Sequence, residues 1–282
     1  MYNYTFMEYI LFFGRFKNSK LADNMKGKTL LISGASSGIG KSLVYQLADA
    51  EVHLIVVARR GELLKAIADD LSDKPATISI AEKDLRKPEE VKELIELIHQ
   101  LPGGLDAVIS NAGHSIRRPL SQSLDRFHDF ERTMSINYMA PVQLLLSVIP
   151  LLEKSEGMIV NVSTINALLP PVPYWAAYQA SKTAFDVWLR SAKPELEGMG
   201  IRTASVYLPL VRTPMISPTA RYARMPAMHP DHVAKIICEI VVKRKQLYKP
   251  WWLFPFQLGS VLFAGFLERV HIQRIRKKEG DR

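Results

Sequence analysis

Short apolar runs at 28–33, 52–58, 77–80, 105–110, 158–162 and 202–208 alternate with longer stretches whose apolar side chains recur at helical spacing. Runs of that length, rich in Val, Ile and Leu, read as strands buried on both faces, and their alternation with helices predicts a parallel sheet. The expected fold is therefore α/β and doubly wound, one domain over 26–248 with helices on both faces. Helical spacing is clearest at 41–50, 127–152, 178–197 and 233–242. No repeat, low-complexity tract or long linker divides this core. In open parallel sheets ligands bind beyond the carboxyl ends of the strands, so the loops that follow the runs are where chemistry is expected.

The two ends break the pattern. Residues 2–13 are aromatic and aliphatic, with neither a basic leader before them nor a small-residue cleavage site after them, so 1–25 reads as an accessory apolar segment. Within 249–282, the stretch 251–267 carries no charge but contains Pro255 and Gly259, and Arg269, Arg274, Arg276, Lys277 and Lys278 follow it. That is short of the roughly 20 apolar residues a spanning helix needs. Paired tryptophans and a basic flank over 251–278 suit peripheral contact with anionic lipid; covering a subunit interface or the mouth of a site fits equally.

Composition narrows the functional classes. The 282 residues carry a net charge of +9 with a pI near 9.5. The basic residues form no stripe interleaved with aromatics, which argues against nucleic acid and for an anionic substrate or membrane surface. Cys238, the single cysteine, excludes an internal disulfide, and no metal-ligand spacing is present. A reducing, cytoplasmic setting with possible membrane association is expected.

Gly34-Ala35-Ser36-Ser37-Gly38-Ile39-Gly40 follows the first run and opens a helical stretch. Glycines there allow a tight turn, and the helix N-terminus offers N–H groups to a pyrophosphate. Further on, Tyr178 and Lys182 are four apart, on one face of a helix. An ammonium beside a phenol is expected to lower the phenol's pKa, so that it trades protons near neutral pH.

In this order, the glycine turn, the hydroxyls Ser163 and Thr164, Tyr178 and Lys182 resemble the short-chain dehydrogenase/reductase family, from about residue 26 to about 242. Ser110-Asn111-Ala112-Gly113 stands at the family's turn after the fourth strand, Asp84 and Leu85 at its adenine-binding place, and Asn137 at its fourth catalytic position. The resemblance implies a Rossmann-like sheet, a nicotinamide cofactor held by Gly34, Ser36, Ser37, Gly38, Ile39, Gly40, Asn111, Ala112, Gly113, Val211 and Thr213, and hydride transfer. Tyr178 would act as general acid, Lys182 would lower its pKa and hold the nicotinamide ribose, and Asn137 would relay protons through water. Thr164 takes the second hydrogen-bond role if the strand is aligned; Ser163 remains the alternative, because the connection to Tyr178 is one residue longer than usual. Arg59 and Arg60 at the end of the second run replace the acid of NAD-preferring enzymes and, with Ser36, point to NADP(H). Pairing through 127–152 and 178–197 would give a homo-oligomer.

Stretches 113–118, 125–134 and 209–219 are similar to bacterial fatty acyl-CoA reductases of this type, which implies a long-chain acyl-CoA reduced to its aldehyde. Arg117, Arg118, Arg212, Arg221 and Arg224 would then meet CoA phosphates, and Met215, Ile216, Met225 and Met228 the acyl chain. Reduction of a fatty aldehyde, a 3-oxo lipid or a steroid-like ketone is the alternative within the family; a non-catalytic NADP-binding sensor or scaffold is the alternative outside it.

Overall fold

A computed structural model describes residues 2–14, 21–217 and 219–280; the side chains of Ala220, Lys278 and Glu279 lie outside the described residues. Among these, β1 (Thr29–Ser33), β2 (His53–Ala58), β3 (Thr77–Glu82), β4 (Ala107–Ser110), β5 (Met158–Thr164), β6 (Arg202–Leu208) and β7 (Leu247–Tyr248) form one parallel sheet in the order β3-β2-β1-β4-β5-β6-β7. The helices are α1 (Phe6–Leu11), α2 (Leu21–Met25), α3 (Gly38–Leu47), α4 (Gly61–Asp70), α5 (Pro88–His99), α6 (Phe127–Met134), α7 (Ala140–Lys154), α8 (Ala176–Gly198), α9 (Pro230–Lys243), α10 (Leu253–Leu262) and α11 (Ala264–Gly280).

Alternate strand residues feed two cores. Leu30, Ile32, Leu54, Val56 and Val160 pack with α3, α4 and α9, whereas Leu31, Ile55, Val57, Val108 and Ile159 pack with α5, α7 and α8. Both faces of the strands are therefore apolar, which explains their continuous hydrophobic runs; each fully buried Leu, Ile or Val contributes about 1.5–3 kcal/mol. Strand order reverses between β1 and β4, and the crevice at such a switch point is where a dinucleotide binds.

Several boundaries differ from the sequence expectation. β5 runs two residues past 162, which puts Ser163 and Thr164 inside the strand with side chains on opposite faces. β7, two residues long, is too short to leave a periodic signal. The helix expected over 127–152 is interrupted: α6 passes through a π turn at Ser135–Met139 before α7 begins. The described residues of the accessory segment form α1 and α2, and α1 is closed at its N-terminus by a reciprocal pair in which Thr5 N donates to Glu8 Oε2 (3.0 Å) and Glu8 N to Thr5 Oγ1 (3.3 Å).

Candidate active site

The chain leaves β1 at Ser33 and re-enters helix at Gly38. Gly38 has φ +55°, and a Cβ there would lie 2.8 Å from Thr213 Cγ2; a Cβ on Gly40 would lie 2.3 Å from the Gly34 carbonyl oxygen. The Ser37 side chain makes no cap bond to α3, leaving the first-turn N–H groups open to an anion. Ser33 Oγ accepts from the N–H groups of both Asn111 and Ala112 at 2.9 Å, and Asn111 Nδ2 donates to Ser33 O at 2.9 Å. These bonds fasten the turn after β4 to the glycine turn, so Asn111, Ala112 and Gly113 face the same crevice as Gly34.

At the far end of that crevice Arg60 Nη2 donates to Ser36 Oγ and Ser37 Oγ, each at 3.0 Å, and Arg59 lies alongside. Ile39 and Leu85 line the crevice; Gly40 sits beneath it. Asp84 does not line it: its carboxylate takes Arg86 Nε at 2.9 Å, and burial, which would raise its pKa, is outweighed by that partner. Burial first, and then the charges of Arg132, Arg59 and Arg86 against that of Asp129, hold the His114 imidazole below the usual range.

Thr164, Tyr178 and Lys182 line one wall of the same cleft, whose volume is about 870 Å³. The Thr164 hydroxyl interacts with the Tyr178 phenol and favours its ionised form, and Thr164 Oγ1 accepts from Asn166 N at 3.3 Å. The Ser163 hydroxyl also lines the cleft, but it is buried without a hydrogen-bond partner among the described residues.

The expected acidification of Tyr178 is not what the fold produces. Burial pushes the phenol up to about 12, with the Thr164 hydroxyl opposing, and burial pulls Lys182 down to about 8. Lys182 Nζ donates instead to Val162 O at 2.9 Å. Helical spacing predicted the shared face but not the depth of burial, and depth decides the sign here. A phenol above its ordinary pKa is protonated at neutral pH, the form that donates a proton during reduction.

Asn137 lies on the π turn and is 1% exposed. Its Oδ1 accepts from His114 N, and its Nδ2 donates to His114 O and to Ser181 Oγ, all at 2.9 Å. The side chain thereby ties the β4 loop to α8 one residue before Lys182. Ser181 carried no sequence signal of its own.

The other wall is formed by the segment after β6. Val211 and Thr213 line it, followed by Met215, Ile216 and Met225. Met228 is a correction: it is fully buried and bridges to Val211. Arg117 lines the mouth with its guanidinium 4.8 Å from the Tyr174 ring centroid. Arg118 and Arg132 line it too, and with Arg126 they converge on the buried carboxylate of Asp129 at 3.1, 2.8 and 3.2 Å. Burial would raise the Asp129 pKa, but these cations hold it low, and three positive charges on one carboxylate leave a cationic surplus at the mouth. Arg212 pairs with Glu8 and faces away from this cleft, and Arg221 and Arg224 are exposed outside its lining. Trp175, 5.5 Å from Tyr178 and stacked 6.2 Å from Tyr222, closes the rim; nothing in its spacing singled it out.

A proton donor at the rim of a parallel sheet, beside a glycine turn built for a dinucleotide, defines an NAD(P)-dependent oxidoreductase with a Rossmann-like fold. The chain belongs to the short-chain dehydrogenase family, whose sequence profile matches residues 28–222. It is 40% identical over 223 residues to a fatty acyl-CoA reductase of Acinetobacter baylyi, covering 79% of this chain and 75% of that protein. It is 41% identical over 206 residues to a fatty acyl-CoA reductase of Mycobacterium tuberculosis, covering 73% and 70%. Its fold is similar to that of a short-chain dehydrogenase from Sphingobium yanoikuyae in complex with NADPH, with a TM-score of 0.73 at 23% identity over 88% of this chain and 95% of that one.

Proposed function

We propose that the protein reduces long-chain fatty acyl-CoA thioesters to fatty aldehydes with NADPH. The observation that carries this reading is the cleft itself, cationic around Arg117, Arg118 and Arg132 and apolar along Met215, Ile216 and Met225. Such a lining suits a ligand with a phosphorylated head and a hydrocarbon tail. The two relatives named as fatty acyl-CoA reductases support the same substrate class.

NADPH supplies the hydride. Thr164 and Tyr178 hold the thioester oxygen, and Tyr178 passes its phenolic proton to that oxygen as the carbonyl carbon is reduced. Collapse of the resulting hemithioacetal breaks the C–S bond, expels the CoA thiol and leaves the aldehyde. Lys182, held by Val162 O, supplies positive charge beside the ribose and helps return a proton to Tyr178. No acyl-cysteine takes part: Cys238 is buried in α9 and burial raises its thiol to about 12.

Purified protein given palmitoyl-CoA and NADPH is expected to release one free CoA per aldehyde formed. Oxidation of NADPH with simple ketones or fatty aldehydes but not with the thioester would assign the site to another carbonyl. Preference for NADPH rests on Arg60, whose bonds to Ser36 and Ser37 place its charge beside the glycine turn. Replacing Arg60 with Ala should raise the KM for NADPH by about 10- to 100-fold, the loss of one charge-assisted hydrogen-bonding group, with NADH little affected. An equal change for both cofactors would remove Arg60 from 2'-phosphate recognition. Met139, Leu146 and Val187, exposed on the π turn, α7 and α8, supply the apolar face for self-association.

A further inference from the structure

Exposed apolar side chains gather where the two ends of the chain meet. Phe6 and Phe13 at the N-terminal end and Trp251, Phe254, Phe263 and Phe266 at the C-terminal end are each more than half exposed. Two bonds join the ends into one platform: Trp251 Nε1 donates to Ile10 O at 3.1 Å, and Trp252 Nε1 to Leu11 O at 3.2 Å. These indoles satisfy carbonyls at the C-terminus of α1, where the helix provides no partners. Soluble monomers rarely carry a contiguous apolar patch of this kind without a use for it.

Taken alone, α10 is too short for a span. The ten residues of α10 rise about 15 Å, half the roughly 30 Å of a hydrocarbon core, and the chain then bends by 83° into α11. Beyond the bend come Arg269, Arg274, Arg276 and Lys277, with Glu268 the one acid in 251–277. An apolar, indole-bearing surface flanked by cations matches the boundary of an anionic leaflet. A second copy of the chain fits less well, since a twofold contact through this surface would bring two like-charged flanks toward each other.

The platform is bonded to both loops that frame the substrate end. Gln257 Nε2 donates to Leu168 O at 3.1 Å, just beyond the turn that follows Thr164. From α1, Glu8 accepts from Ala227 N at 3.0 Å and pairs with Arg212, bracketing the segment that carries Met215 and Met225. Burial would raise the Glu8 carboxyl, but the N–H groups of Ala227 and Thr5 and the Arg212 guanidinium hold it down to about 2, so this clasp stays charged at any ordinary pH.

We propose that α1, α10 and α11 seat the protein on an anionic lipid bilayer as a shallow, non-spanning platform, coupled to the loops around the substrate mouth. The docking stands on these contacts alone; entry of acyl chains from the bilayer rests additionally on the acyl-CoA reading above. The test is flotation of the full-length protein with vesicles of phosphatidylcholine alone or with added phosphatidylglycerol. Binding should be at least about tenfold tighter on the anionic vesicles. It should fall by at least about tenfold in Phe254→Glu/Phe263→Glu and, independently, in Arg274→Glu/Arg276→Glu. All of these side chains are exposed, so the melting temperature should stay that of the parent. Absence of binding to either vesicle, or equal binding to both, would overturn the proposal. So would a dimer in solution that the phenylalanine variant converts to monomer, which would assign the surface to self-association. None of these readouts requires turnover, so failure of the acyl-CoA assay leaves the docking result interpretable.

Discussion

Tyr178→Phe is expected to lower kcat by roughly 10²- to 10⁴-fold, the range a positioned general acid contributes, with no change in NADPH affinity. The substitution removes one hydroxyl and leaves the ring against Trp175, and Thr164 Oγ1 keeps its bond from Asn166 N. The fold should therefore be unaffected, and circular dichroism and melting temperature serve as controls. Single-turnover oxidation of NADPH reads the chemical step directly. A variant that kept more than about a tenth of the parent rate would show that the proton comes from elsewhere. Thr164→Ala and Ser163→Ala separate the two hydroxyls: of the two, Thr164 is the one that interacts with Tyr178, so its loss should be the costly one.

Gly40→Ala should be the most damaging small substitution in the chain. Its Cβ would meet the Gly34 carbonyl at 2.3 Å and the Ala35 Cα at 2.9 Å, both backbone atoms of the glycine turn, so relief requires moving the turn itself. A cost of about 4 kcal/mol or more is expected, at the extreme of single substitutions, and with it a fall of about 10 °C or more in melting temperature. Dinucleotide binding should be lost together with stability, because the α3 N-terminus can no longer approach β1. If calorimetry found alanine tolerated and NADPH binding intact, the close packing of α3 on β1 would not be what this glycine provides.

What could be read from the residues was whatever depends on chain order. Continuous apolar runs located six strands because burial on both faces leaves no polar interruption, and the loops after those runs did hold the glycine turn, Asn111 and the Val211–Thr213 segment. Three-dimensional burial was not readable. Lys182 and Tyr178 share a face as their spacing implied, yet both are displaced from their ordinary pKa in the direction set by desolvation. Arg212 looked like a ligand for phosphate until Glu8, at the opposite end of the chain, turned out to hold it. Met228 reads like Met215 and Met225 in sequence; the bridge to Val211 turns it into the core. Asp129 gave no signal, since an acid among arginines resembles any solvated face, and only the fold brings Arg118 to join Arg126 and Arg132 around it.

The π turn at Ser135–Met139 fits one residue more into its loop of backbone than a regular helix holds. Deleting one residue there would give α6 and α7 an unbroken ladder while rotating everything on one side of the deletion by about 100° relative to the other. Asn137 would swing off Ser181 and His114, and the β4 loop would lose its tether to α8. The same rotation would turn either the buried Thr133 side of α6 or the buried Leu144, Leu145 and Val148 of α7 off the core, so selection for heat resistance is expected to keep this irregularity.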